Sequence, residues 1–396
     1  MAYTLGSPIL NYHSVARSWN FSLLVTEECN LRCTYCYEWH KNRHHKMSRE
    51  VGFRVIDFLF ELPQSGEAIE LDFSGGEMGL AIELVTELVF YFKKKLWEYP
   101  THPWQATYML TFSTNGTLYH TEKFQRLLWE NRYHGRPLVT IDGTKRKHDS
   151  ARRFADGSGS YDIVAKNVKL MLQQFPDSGS KVTFGSRDLP YVSESVIHLW
   201  ELGFQNIHAN VVYEDVWKQG DPELFESELC KLADIAIDRG FWKTKNTSLF
   251  FDPRQHDWPV EDRNFCGTGG MMSVDSEGNL HNCVRFHPFT MKNYSGRSIG
   301  NIWDGVNEDA LRPFHCLRKS LQSPQKCLEC EWQRNCGWCK GHDYDISGTL
   351  FHRATFICEM HKARCRANQY YWRELEKRTG TKPQDLEFML CVGCPM

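Results

Sequence analysis

From residue 20 to about 215, short apolar runs alternate with segments of helical period. The runs Phe21–Val25, Ile69–Phe73, Tyr108–Phe112, Leu138–Ile141, Lys181–Phe184 and Ile207–Tyr213 are rich in β-branched and aromatic residues and read as strands. Between them, apolar residues recur three and four positions apart, as in Phe53/Ile56/Leu59/Phe60 and Leu84/Leu88/Tyr91/Phe92, which predicts helices with one buried face. Strand–helix alternation predicts a parallel sheet. Residues 221–245 read as a further helix. From about 255 to 365 the periodicity fades, and Gly278-Asn279 and Gly300-Asn301 mark turns. A charged helical pattern returns over 366–390, and the chain closes on Cys391-Val-Gly-Cys394-Pro-Met.

The pattern bounds what the chain can be. Hydrophobic residues are 41 % and aromatics 13 % of its 396 residues, enough for a substantial core. A formal net charge of −2 gives no global field for nucleic acid or an anionic membrane. Residues 1–20 lack an apolar signal segment, and no run approaches the ~18 apolar residues of a membrane span. The expectation is a cytoplasmic protein with no nucleic-acid or membrane partner.

Cysteine changes the picture. There are fifteen, too many for a chain without a secretory signal, unless they bind metal. Ten fall in clustered spacings. The first group, Cys29-Asn-Leu-Arg-Cys33-Thr-Tyr-Cys36, follows the first strand directly. Three thiolates on one loop suit a 4Fe–4S cluster with one iron left open. Clusters used only for electron transfer normally take four cysteines, and an open metal position is where chemistry happens. His40 to Lys46 trails this loop and reads as solvated.

This loop resembles that of the radical S-adenosylmethionine (SAM) superfamily, with Tyr35 as its aromatic residue. The resemblance implies a partial (β/α)6 barrel, an open iron that chelates SAM, and cleavage of SAM to a 5′-deoxyadenosyl radical. It also implies further SAM contacts. Gly75-Gly76-Glu77 after the second strand would cradle the amino group. Asn115 after the third strand, Thr140 and Asp142 after the fourth, and Ser186 after the fifth would meet the methionine and ribose. Arg152, in the segment His148-Asp149…Arg152, would pair with the carboxylate.

The later cysteines resemble a second module. Cys266, Gly278 and Cys283 precede Cys327-x2-Cys330-x5-Cys336-x2-Cys339, and Cys358 follows eighteen residues on. This is similar to the SPASM domain appended to radical SAM enzymes that modify peptides and proteins. It departs in having two residues rather than three before the last cysteine of the central group. A zinc ribbon competes for the paired C-x2-C units, but it spaces its pairs by ~15–20 residues rather than five. The resemblance implies three 4Fe–4S clusters in all. Cys327, Cys330, Cys336 and Cys358 would hold auxiliary cluster II. Cys266, Cys283 and Cys339 would hold auxiliary cluster I, completed by a spare cysteine (Cys230, Cys316, Cys365, Cys391 or Cys394) or left with an open iron.

The expected organisation is an N-terminal segment over 1–19, a barrel over 20–220, a helical bridge over 221–254, the SPASM region over 255–365, and a C-terminal helix and tail over 366–396. The expected activity is that of a ranthipeptide-type maturase, which joins a cysteine sulfur to carbon in a ribosomally made precursor peptide. A cysteine bound at the open auxiliary iron would be deprotonated and positioned there. A low-potential flavodoxin or ferredoxin would supply electrons.

Two alternatives share the scaffold: an anaerobic sulfatase-maturing enzyme making formylglycine, and a cyclase forming C–C or C–O links. The former carries an aspartate just after the second SPASM cysteine, where this chain has Val284-Arg285-Phe286. A plain electron carrier would have no use for Gly75-Gly76-Glu77. Only 28 residues precede Cys29, so a leader-binding winged helix of ~80–90 residues is not expected there. The precursor's leader is expected instead on Tyr12–Phe21, which includes Trp19, or on the 366–396 tail.

Overall fold

The computed structural model describes residues 18–41, 44–62, 68–254, 262, 264–334 and 336–386. Eleven strands are assigned among them: β1 (Ser18–Thr26), β2 (Ala68–Gly75), β3 (Tyr108–Thr114), β4 (Gly135–Thr140), β5 (Ser180–Phe184), β6 (Asn206–Val211), β7 (Asn246–Thr247), β8 (Met271–Val274), β9 (Asn279–His281), β10 (Ser298–Asn301) and β11 (Gly305–Val306). The six strands expected from the apolar runs are β1 to β6, each shifted by a few residues at most. The fold is the expected α/β class with a parallel sheet. The chain forms two compact units, one of residues 1–139, 152–176 and 267–316, the other of 140–151, 177–266 and 317–396.

In the first unit the strand order is β11-β10-β9-β8-β1-β2-β3-β4. β1 pairs in parallel with β2, β2 with β3, and β3 with β4. Helices Arg49–Glu61, Ile82–Glu98 and Glu122–Glu130 make the crossovers. Ser48 caps the first of these by accepting the Val51 amide at 3.1 Å. Side chains alternate cleanly. Phe21, Leu23 and Val25, with Ile69, Leu71, Phe73, Leu110 and Phe112, are buried on one face. The other face is polar: Ser113 donates to Asp72 at 2.7 Å and Thr111 to Glu70 at 2.6 Å. Period-two alternation on paired strands gives one apolar and one polar surface, and the polar one leads to the strand ends where the cysteine loop begins.

The far edge of β1 is not open. It pairs in parallel with β8, Asn20 to Val274 being matched through Asn20↔Met271 and Leu23↔Val274. Residues 267–316 thus extend the same sheet, through antiparallel β8, β9, β10 and β11. The division expected at residue 255 does not separate these residues from the barrel strands, because strand pairing outweighs adjacency in sequence. Trp19, in the segment expected to meet a leader, lies within β1, matched with Ile69. Tyr12 to Arg17 fall outside the described residues, as do Cys391 and Cys394.

In the second unit β5, β6 and β7 run parallel. Helices Asp221–Asp238 and Cys358–Thr379 pack together through Ala233, Ile237, Tyr371, Trp372 and Leu375. Arg366 pairs with Glu226 at 2.6 Å, and Tyr370 donates to Asp234 at 2.9 Å. The helix expected from residue 366 begins eight residues earlier, at Cys358, so a boundary at 365/366 would cut it. Its apolar face packs on the helix Asp221–Asp238.

Candidate cluster and cosubstrate site

The loop that carries Cys29, Cys33 and Cys36 is fastened on several sides within the first unit. Leu31 bridges to Phe154, and the Arg32 amide donates to the Arg153 carbonyl at 2.7 Å. Asn30 accepts from Asn115 Nδ2 and donates to Thr117 Oγ1, at 2.7 and 2.8 Å. The other arm, Tyr37 to His40, meets the segment after Cys283: Arg285 lies 4.7 Å over the Tyr37 ring, and the His40 amide donates to the Phe289 carbonyl. Burial pushes the Cys29 thiol up to about 12 and Cys36 to about 11. Such thiols ionise only when a cation compensates for lost water, and a bound metal does that outright.

Glu77 stands beside this loop, 1 % exposed. Its carboxylate accepts Thr114 Oγ1 and the Asn115 amide, both at 2.7 Å, and the Gly79 amide at 2.9 Å. Burial raises its pKa, opposed by those three donors and by Arg152. The two glycines before it serve the chain itself. A Cβ on Gly75 would lie 2.1 Å from the Thr26 carbonyl oxygen, one on Gly76 2.3 Å from that of Glu28. The amides of Gly76 and Glu77 donate to those same carbonyls at 2.8 Å. The close approach is therefore to the backbone leading into Cys29, which locks the Glu77 strand end to the cysteine loop.

The remaining expected SAM contacts are placed as follows. Asn115 is buried, its Nδ2 also 3.9 Å from Cys29 Sγ and its Oδ1 accepting from Thr117. Arg152 Nη1 donates to the Tyr35 hydroxyl at 2.7 Å, so these two residues form one unit. Cys29, Tyr35, Gly75, Gly76, Glu77, Asn115 and Arg152 thus gather in the first unit.

Thr140, Asp142 and Ser186 belong to the second unit. Asp142 is fully buried and paired with the equally buried Lys147 at 3.6 Å. Lys147 also donates to the Thr183 carbonyl, and the Thr183 amide to Asp142. Its carboxylate thus ties the segment that follows β4 to Lys147 and to the Thr183 amide of β5. Thr140 closes β4 half-buried, and Ser186 opens a short turn anchored by the Asp188 carboxylate on the Gly185 amide.

Glu38, two residues after Cys36, is a residue the motif did not single out. It is buried, its carboxyl pushed up to about 8 by burial, with Oε2 4.0 Å from Cys36 Sγ.

In the second unit, burial raises the pKa of Cys336 and of Cys358, and Cys327 and Cys330 lie close enough to both to raise them further. Arg353, unforeseen, donates to Cys336 Sγ at 2.9 Å and lies 4.0 Å over the Trp338 ring. Tyr213 and Gly337 were also missed. A Cβ on Gly337 would stand 3.1 Å from the Tyr213 hydroxyl, and burial raises that phenol together with Cys339, Cys266 and Cys336. Asn264 Nδ2 reaches Cys266 Sγ at 3.3 Å. Cys266 and Cys339 belong to this unit and Cys283 to the other.

Thiolates around one zinc ion, at Zn–S ≈ 2.3 Å, stand about 3.8 Å apart. Among the described residues no three cysteines bring their Sγ atoms within 4.8 Å of one another. Thiols that interact at longer range fit the larger cubane better than a single ion.

Comparison with known proteins agrees with this geometry. Residues 23–187 match the model of the radical SAM superfamily. A cysteine-type anaerobic sulfatase-maturating enzyme of Clostridium novyi (strain NT) is 28 % identical over 160 residues, 38 % of this chain and 40 % of that one. The Fe-coproporphyrin III synthase of Methanosarcina barkeri (strain Fusaro) is 28 % identical over 180 residues, 44 % and 39 % of the two chains. The chain thus spans about 40 % of the length of these two curated relatives.

Among solved structures, anSMEcpe with bound AdoMet superposes with TM-score 0.70 at 20 % identity, over 91 % of this chain and 98 % of that one. SuiB of Streptococcus suis bound to precursor peptide SuiA gives 0.57 at 13 % identity, over 87 % and 77 %. The chain shares the fold of these two solved structures.

Proposed function

We propose that this chain is a radical SAM enzyme acting on a peptide, and specifically a maturase that forms thioether cross-links in a cysteine-containing precursor. The observation that carries the reading is the single buried site in which the Cys29/Cys33/Cys36 loop, Glu77, Asn115 and the Arg152–Tyr35 pair are fastened to one another. A 4Fe–4S cluster and SAM bound there supply a radical that abstracts hydrogen from carbon.

The protein's own residues do the positioning. Cys29, Cys33 and Cys36 hold the cluster. The Glu77 oxygens, already fixed by three donors, keep lone pairs for an ammonium group. Arg152, oriented by Tyr35, presents a guanidinium to a carboxylate. Cys327, Cys330, Cys336 and Cys358 would hold a second cluster; Cys266, Cys283 and Cys339 would belong to a third, completed by a spare cysteine or left with an iron open to a substrate thiolate. The peptide and an external low-potential reductant are the partners.

The sulfatase-maturing reading is favoured by the Clostridium novyi relative and by the fold shared with anSMEcpe, which has also been solved with a Cp18Cys peptide. Against it, the position after Cys283 offers no carboxylate. Val284 is followed by Arg285, which lies on Tyr37, and by the buried Phe286.

Mass spectrometry of candidate peptides after anaerobic incubation with SAM and reductant separates the readings. A thioether removes two hydrogens, keeps the sulfur and blocks alkylation of the thiol. Formylglycine loses the cysteine sulfur and gains an aldehyde that hydroxylamine captures. A sulfur-depleted, aldehyde-bearing product would overturn the thioether reading.

A further inference from the structure

One buried group of metal-binding side chains has no part in the function proposed above. Asp275 follows β8, His281 ends β9, and His287 follows the turn after Cys283. All three lie in the first unit, and one ligand atom from each stands within 4.8 Å of the other two. Both imidazoles are buried, His287 completely.

Hydrogen bonding decides which nitrogens carry protons. His281 Nδ1 lies 3.1 Å from the Arg297 carbonyl oxygen, which only accepts, so Nδ1 holds the hydrogen. In the neutral ring the Nε2 lone pair then faces Asp275 Oδ2 across 3.4 Å. Two acceptors so placed need a cation between them, either a proton or a metal ion. A charge-assisted N–H···O bond closes to ~2.7–2.9 Å. Nitrogen and oxygen ligands ~2.0–2.1 Å from a tetrahedral ion stand about 3.3–3.4 Å apart, which is the spacing found.

His287 points the same way. Its Nε2 is 2.7 Å from Ser273 Oγ, while Nδ1 is buried with no hydrogen-bond partner. An orphaned ring nitrogen costs roughly 1–3 kcal/mol unless something else satisfies it. Ring nitrogens bonded to a carbonyl and a hydroxyl, as His281 Nδ1 and His287 Nε2 are here, are a usual outer setting of metal-binding histidines. Asp275 is itself held, with Oδ1 accepting the Glu277 and Asn279 amides at 2.9 Å and Oδ2 the Asn279 side chain at 3.0 Å.

We propose that Asp275, His281 and His287 bind a single divalent transition-metal ion, zinc by ligand type, separate from the cysteine sites. It would cross-link β8, β9 and the segment that follows Cys283.

The test uses the full-length protein, purified anaerobically with its clusters from zinc-supplemented cells. Metal analysis is expected to give about one zinc per chain, with zinc-edge X-ray absorption showing only nitrogen and oxygen at about 2.0–2.1 Å. His281→Ala and His287→Ala are each expected to lose the zinc and keep the iron. Absence of zinc, a zinc–sulfur shell near 2.3 Å, or zinc retained in both variants would overturn the proposal. Should a variant fail to fold, the wild-type absorption spectrum alone decides.

Discussion

Arg353 has a role that its charge and its neighbours define together. It is buried, stands 4.0 Å over the Trp338 ring centroid, and gives one N–H to Cys336 Sγ and another to Ser323. A cation and a hydrogen bond at a cluster thiolate stabilise the reduced, more negative state and raise the potential. Arg353→Met keeps much of the volume and removes both. The cluster held by Cys327, Cys330, Cys336 and Cys358 is then expected to fall in potential by on the order of tens of millivolts. Redox titration followed by electron paramagnetic resonance measures it; an unchanged midpoint would mean that the contact does not reach the cluster.

Residue by residue, the cysteine loop and Glu77 stand out in the sequence because their spacing falls along one loop or strand end, and the structure packs them side by side. The surroundings of Asp142 were not legible. Its partner Lys147 lies only five residues on, but nothing in a linear pattern shows that both are buried and so bound to each other. Arg353 and the His281/His287 pair were invisible because the atoms they meet are distant in sequence or set by the pairing of β8 with β9.

The strand-end elements carry a sharper requirement than a glycine count suggests. Gly76 lets β2 finish against the carbonyls that lead into Cys29, and a methyl group there would overlap the Glu28 oxygen. Gly76→Ala is expected to cost roughly 2–4 kcal/mol and to abolish SAM binding, read by thermal unfolding and by equilibrium dialysis. Gly380, at positive φ as Gly76 is not, but facing open space at a helix end, is the control; Gly380→Ala is expected to cost only ~1 kcal/mol and to leave binding intact. A loss at Gly76 no larger than that at Gly380 would show that the close approach to Glu28 is not what matters. The six barrel strands were readable from their apolar runs. The eight residues missing from the expected final helix were not, because Cys358 to Cys365 alternate charge and small side chains that carry little period of their own.

Across the whole molecule, the cysteine sets divide the labour. Replacing Cys29, Cys33 and Cys36 by Ala is expected to end SAM cleavage, measured as 5′-deoxyadenosine. Replacing Cys266, Cys283 and Cys339 is expected to leave some uncoupled cleavage while ending peptide modification. Cross-linking that persists in the second triple variant would remove the third cluster from the chemistry. The sequence pattern did not announce the joining of β8 onto β1, since backbone pairing leaves no mark in side-chain periodicity.

That pairing of β8 with β1 bears on synthesis. While the ribosome has yet to release residues beyond Gly267, the first strand has a neighbour on one side only and presents a row of bare amides and carbonyls on the other. A nascent chain in that state is open to adventitious pairing with other chains, and such exposure is a common cause of misassembly. Expression that slows translation or supplies holding chaperones should therefore raise the soluble yield more than added iron does.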